Sequence, residues 1–297
     1  MTDPRHAYDW HEGLVAPARP RAQLWRLAVG LVVVAIVALL LNGLFTMVLL
    51  GLTSPGWVMG LTVGDTPAQL LTLLASFALT AIAVAVALRL MHQRSLGSLI
   101  GPRALASRQF WALFWRLGAL FAGMALLPTG GFDAPLQPNL ALGMWLMLLP
   151  LSLGALLIQI GTEEILFRGY LQQTLAARFN SPLIWIGVPS VLFGLGHYDP
   201  GTAGGNAAMI AIWAMIFGLV AADLTARAGT LGPALALHLF NNMVAMLFVG
   251  MPGTLSGLAL YVLPFDMTQT DLVRDWLWVD LASLGVCWLL GRLALRR

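Results

Sequence analysis

Glu163 and Glu164 stand side by side at the end of an apolar run long enough to cross a bilayer, and Arg168 follows four residues later. A charge at the centre of a membrane helix costs roughly 2.5–3.5 kcal/mol on insertion scales, so such residues are kept for a purpose. The run belongs to a chain that is 59% hydrophobic and 10% charged over 297 residues. Soluble domains carry about 25% charged residues, and an apolar excess of this size exceeds what one globular core hides. The chain therefore reads as an all-α, polytopic membrane helix bundle. Its single cysteine, Cys287, excludes an intrachain disulfide and a thiolate metal cluster, and reads as a small apolar filler.

Eight apolar segments are long enough to count as spans: 27–52, 68–91, 109–127, 140–162, 183–197, 207–226, 232–250 and 276–295. The first is too long, and too poorly followed by small residues, for a removable signal peptide, so it reads as a retained anchor. Arginines cluster in alternate loops: Arg5, Arg19, Arg21 and Arg26, then Arg94, Arg103 and Arg108, then Arg168 and Arg178, then Arg227, then Arg292, Arg296 and Arg297. The opposite loops hold Asp65, Asp133, Asp199, Asp266, Asp271 and Asp275 with one arginine, Arg274. The positive-inside rule then places both termini in the cytoplasm, in a cell membrane. The expected organisation is a cytoplasmic tail over 1–26, membrane helices over 27–140, a catalytic core over 141–250, and an outer loop with the last helix over 251–297. The tail, with Pro4, Pro17 and Pro20, reads as flexible or surface-lying. The basic residues are scattered among short loops, which argues against a nucleic-acid partner and leaves the lipid bilayer as the surrounding partner.

The polar residues inside the spans carry the chemistry. On a helix Glu164 and Arg168 share a face, and Glu163 points about 100° away. Arg168 then neutralises Glu164 and leaves Glu163 as an unpaired carboxylate, suited to general-base work. The competing reading is a buried ion cluster that locks helix packing, although two acids and one base leave a charge over. His197 closes the run Phe193-Gly-Leu-Gly-His197, and His238 shares a helix face with Asn242. Either set also suits interfacial residues or interhelical hydrogen bonding. Asn180-Ser181-Pro182 reads as a turn, with Glu163 17 residues before Asn180 and His197 17 after it. In an antiparallel hairpin the two come level, roughly 25 Å from the turn. Because His238 lies only about six residues into its span, the cavity is expected to open toward the cytoplasm, with the hairpin projecting beyond the bilayer.

Other protease signatures fail. His11-Glu12 is followed by Gly-Leu-Val and so lacks the second histidine of a zinc-protease helix. Ser152, Ser190, Ser256 and Ser283 have no Gly-x-Ser context, and Gly64-Asp65 and Tyr198-Asp199 sit in outer loops as turn residues.

Taken in order, Glu163-Glu164-x-x-x-Arg168, Phe193-x-x-x-His197 and His238-x-x-x-Asn242 resemble the three signature motifs of the CPBP intramembrane endopeptidases. That family includes the type II CAAX prenyl endopeptidases and the Abi bacteriocin-immunity proteins. The likeness covers about 145–250, and the remaining spans match only as helices. The resemblance implies hydrolysis of a peptide or protein substrate within the membrane. It implies that Glu163 activates water with help from His197, that His238 and Asn242 stabilise the oxyanion, and that Glu164 and Arg168 hold the site. It leaves the cofactor open between none and one divalent metal such as zinc, for which Glu163, His197 and His238 would be the ligands. Two other readings remain: a non-catalytic membrane binding or immunity protein, and an ion-coupled transporter using the same acids and histidines as a relay.

Overall fold

The computed structural model describes residues 7–126 and 135–296. Pro4, Arg5, Asp133 and Arg297 lie outside the described residues.

Eight principal helices stand where the eight apolar segments were read. They are α1 (Leu24–Leu52), α2 (Pro67–Ala87, with a π-helical end at Leu88–His92), α3 (Arg103–Ala125) and α4 (Leu142–Glu164, prolonged by Ile165–Leu171 and Gln172–Ala176). Then come α5 (Pro182–Trp185 and Gly187–Gly196), α6 (Ala207–Ala228), α7 (Gly232–Met243, prolonged by Val244–Phe248) and α8 (Thr270–Leu295). Five are long and apolar enough to cross a membrane: α1, α2, α4, α6 and α8. The α5 and α7 helices are shorter, and α3 carries Arg103, Arg108 and Arg116. Prolines at first turns set several starts. Thr66 caps α2 by accepting from Gln69 N, with Pro67 in the next position.

The outward side chains identify the solvent. On α1, Leu39, Leu40, Leu44 and Met47 are each more than 60% exposed, a face that no water-soluble surface would keep. The α4 rod runs for 35 residues from Leu142 to Ala176. At 1.5 Å per residue it is about 50 Å long, against a hydrocarbon core of about 30 Å.

Among the described residues, three of the four apolar clusters join the principal helices. One joins α1 and α2 to the end of α4 through Leu27, Val84, Leu88, Tyr170 and Leu171. Another joins α3, α6, α7 and α8 through Leu117, Phe217, Leu237, Leu284 and the buried Cys287. The third joins α2, α4 and α7 through Leu74, Leu156, Ile160 and Leu239. Two glycines let α5 and α6 touch. A Cβ on Gly194 would lie 2.6 Å from Ala211 O, and one on Gly218 would lie 3.0 Å from Ser190 Cα.

The two ends of the bundle differ from expectation. The N-terminal segment is docked rather than loose: His11, Leu14, Val15 and Ala18 are all buried. His11 packs on the Trp185 ring, with centroids 4.8 Å apart. Burial lowers the His11 pKa to about 4. The prolines shape short helical turns here, and the apolar positions between them supply the contact that a reading by proline content overlooked. At the opposite end, β1 (Gln137–Pro138), β2 (Val249–Gly250) and β3 (Tyr261–Val262) form a small sheet in the order β1-β3-β2. The loop around it folds inward, with Leu255 N on Val63 O at 2.7 Å and Gly257 N on Gly64 O at 2.9 Å.

Candidate active site

Two helical pairs face each other across the gap between α4 and α7. Gln159 and Glu163 lie one turn apart on α4, and Asn242 and His238 lie one turn apart on α7. Each pair shares a face because of its four-residue spacing. They meet as two rungs: Asn242 Nδ2 donates to Gln159 Oε1 at 2.9 Å, and His238 Nε2 lies 3.5 Å from Glu163 Oε2. Sequence reading missed Gln159. The available signal was a lone amide inside an apolar membrane helix, one turn before the acidic motif.

Glu164 and Arg168 form the support behind those rungs. Arg168 Nη1 donates to Glu164 Oε1 at 2.8 Å, with side chains 1% and 0% exposed. His238 Nδ1 donates to the same oxygen at 2.7 Å. A carboxylate only accepts, so the bond sets the hydrogen on Nδ1 and turns Nε2 toward Glu163. Glu164 therefore does two things, neutralising Arg168 and orienting His238. The second is a contact between helices that sequence spacing cannot report. Phe193 lies under the Arg168 guanidinium, 4.6 Å from its ring centroid, and Phe217 packs edge-on to His238 at 4.9 Å. The polypeptide passes into a π-helical stretch, Ile165–Leu171, immediately after Glu164. Such stretches recur at functional sites.

His197 comes from a third direction. It terminates α5, where its Nδ1 bonds Phe193 O at 2.8 Å. A carbonyl only accepts, so Nδ1 carries the hydrogen and Nε2 is left for the cavity. Glu163, His197, His238 and Asn242 all line one cavity of about 570 Å³, together with Gln159 and a wall of apolar residues that includes Leu74, Phe77, Phe167 and Trp213. Glu164 and Arg168 lie behind that wall rather than in it. The equal count from the Asn180 turn therefore brings Glu163 and His197 to one cavity.

The cavity reaches the surface at Gly196 and His197, at the end of α5 far from the Asn180 turn, and Leu255 of the inward-folded loop also lines it. The opposite end is filled by Tyr170, Gln172, Gln173 and the docked N-terminal segment.

Several minor readings hold. Asp199 is a turn residue, accepting from Gly201 N at 2.9 Å and from Thr202 N at 3.3 Å. The Thr202 hydroxyl, donating to its Oδ2 at 2.6 Å, and then the two backbone bonds hold its carboxyl below the usual range. Asp223 and Arg227 form a local i,i+4 pair at 2.8 Å.

A zinc centre needs ligands converging within about 2.0–2.3 Å of one point. Among the described residues no three His, Cys, Asp or Glu side chains converge to hold a metal ion. Glu163 and His238 approach each other, but His197 on the other wall does not complete a ligand set with them. As arranged, the three do not fit a zinc site.

Residues 142–244 match the family model described as type II CAAX prenyl endopeptidase Rce1-like. That stretch contains all six motif residues, from Glu163 to Asn242. This segment of the chain is similar to that family. The likeness thus spans α4 to α7, which include the helices that carry Glu163, His197, His238 and Asn242. A relative, "Uncharacterized protein YyaK" of Bacillus subtilis (strain 168), is 30% identical over 92 residues. The alignment spans 31% of this chain and 31% of that protein, so the chain matches about a third of the relative's length. No solved structure matches.

Proposed function

We propose that the chain is an intramembrane endopeptidase that hydrolyses a peptide bond of a membrane-associated substrate. The observation that carries this reading is the shared cavity, in which a carboxylate from α4 and imidazoles from α5 and α7 face one apolar-walled space. The Rce1-like segment, which contains those helices, supports the same reaction class.

Amide hydrolysis needs a base for water, donors for the oxyanion and a proton for the leaving nitrogen. In the proposed sequence Glu163 takes a proton from water, and the hydroxide adds to the scissile carbonyl carbon. His197 Nε2 aligns the water from the opposite wall. The oxyanion receives the Asn242 N–H that is not donated to Gln159, with His238 Nε2 beside it when that atom is protonated. As the tetrahedral adduct collapses, the C–N bond breaks and Glu163 returns its proton to the amine. Glu164 and Arg168 act through His238 and are positioning residues. A donor of this kind contributes roughly 2.7–4 kcal/mol to the transition state in a dry site.

The apolar walls suit a substrate that presents a hydrocarbon or hydrophobic segment beside the scissile bond, such as a prenylated Cys-a-a-X tail or a membrane leader peptide. The test is incubation of the purified protein with farnesylated and unmodified Cys-a-a-X peptides and with a hydrophobic leader peptide, followed by mass spectrometry. The expected result is paired products whose masses sum to substrate plus one water, with none from Glu163→Gln. Intact peptides throughout, from a folded protein, overturn the proposal.

A further inference from the structure

A separate groove of about 670 Å³ runs along the flank of α2. Its apolar floor includes Ala81, Ile82, Ala85 and Val86, and its end carries Arg89 and Arg94. Positions 81, 85 and 89 follow one helical stripe, as do 82 and 86. The floor is therefore a continuous apolar strip leading to charge. Among the described residues no aspartate or glutamate lines the groove.

The two arginines differ in setting but share the lack of an acid. Arg94 is 7% exposed, and its Nε and Nη2 bond Ser98 Oγ, Ser98 O and Gln173 Oε1 at 2.9–3.2 Å. All three acceptors are neutral, and its Nη1 has no bond to a described residue. Burial lowers the Arg94 pKa only to about 10, so it is charged at neutral pH. Arg89 is exposed and makes no hydrogen bond or ion pair with a described residue. Arg26 of α1 adds further positive potential nearby, donating to Met91 O at 3.0 Å. A cation kept from water without a counter-ion is unfavourable, and an external anion relieves it.

We propose that this groove is a specific site for one anionic glycerophospholipid. Its phosphate is held by Arg89 and Arg94, and an acyl chain lies on the strip formed by Ala81, Ala85 and Val86. Charge complementarity selects this occupant. Guanidinium groups hold phosphate through paired N–H donors, and basic pockets at the cytoplasmic ends of membrane helices favour anionic headgroups. A zwitterionic lipid brings its own cation and gains less. Free phosphate satisfies the arginines but leaves the strip uncovered.

The experiment uses the full chain in neutral detergent, with native mass spectrometry of retained lipid and thermal unfolding as readouts. Phosphatidylglycerol is expected to stay bound and raise the unfolding midpoint, while phosphatidylcholine does neither. Arg89→Gln is expected to weaken phosphatidylglycerol binding about fivefold. Ala85→Trp, which fills the strip, should remove it, and Arg116→Gln on the exposed flank of α3 should leave it unchanged. Arg94→Gln also loosens the Ser98 and Gln173 contacts, so Arg89→Gln and Ala85→Trp decide the matter. Undiminished phosphatidylglycerol binding in both variants overturns the proposal. So does equal retention of phosphatidylcholine, or an equal midpoint rise with inorganic phosphate, which assigns the arginines to a free anion.

Discussion

The molecule builds two acid–arginine pairs with the same four-residue spacing and uses them differently. At the end of α6, Asp223 is saturated. Its Oδ1 accepts from Tyr8 Oη at 2.7 Å and from Arg227 Nε at 2.9 Å, and its Oδ2 accepts from Arg227 Nε at 2.8 Å and from Trp288 Nε1 at 2.9 Å. That cluster ties the N-terminal segment, α6 and α8 together. On α4, Glu164 and Arg168 are more deeply buried, yet Glu164 Oε2, Arg168 Nη2 and Glu163 Oε2 lack hydrogen-bond partners among the described residues. A saturated network rigidifies, whereas an unsaturated one keeps capacity for a reactant. The difference separates a fastening from the proposed reaction site although the sequence pattern is nearly the same.

The comparison can be broken most forcefully at Arg168. Arg168→Ala leaves Glu164 buried without its cation and is expected to lower stability by about 3–5 kcal/mol, with loss of cleavage. Thermal unfolding in detergent measures it, and an unchanged midpoint would deny the pair its structural role. Glu163→Gln should instead lower peptide cleavage by about 10²–10⁴-fold while the unfolding midpoint stays at or above that of the parent chain. Asn242→Ala should cost about 10²–10³ in kcat, since it removes a donor and strands Gln159. A rise in KM alone, with kcat unchanged, would show that the amide acts only in substrate binding.

The docked segment sharpens the comparison through pH. His11 is neutral in the folded protein down to about pH 4, whereas the unfolded chain takes up its proton near 6.5. Between those values the unfolded state binds more protons, so stability falls as pH drops from 6.5 toward 4, by up to about 3 kcal/mol. The loss should be absent in His11→Phe, as unfolding midpoints across that window would reveal. The smallest effect is expected at the saturated pair. Arg227→Gln, where the partners are 12% and 14% exposed, should lower stability by about 1 kcal/mol and leave cleavage unchanged.

Much of this arrangement was legible from residue order. Lengths and hydropathy mark the eight helices, because in lipid every backbone group must be paired within its own segment. The count of 17 residues on each side of Asn180 brings Glu163 and His197 to one cavity because both arms are helical over those stretches. What escaped were relations between elements. That His238 leans on Glu164, and Asn242 on Gln159, depends on how α7 rotates against α4, which a four-residue spacing does not encode. The π-helical stretch after Glu164 is a backbone adjustment without a distinct side-chain period. Docking of the N-terminal segment rests on Leu14, Val15 and Ala18, too few apolar residues to stand out in a proline-rich stretch. Asp280, a lone acid in α8, lines a small cleft with Asn241 and Ser283, another contact between helices that residue order does not report.

The central claim is that Glu163 and the two imidazoles work on one water in one cavity. Its most direct test is a double-mutant cycle on kcat/KM for peptide cleavage, using Glu163→Gln, His197→Ala and the double variant. Residues that act as a unit fail together, so the double variant should be no worse than the poorer single one. Losses that multiply, each variant retaining its own share of activity, would place the two groups in independent roles and contradict the account.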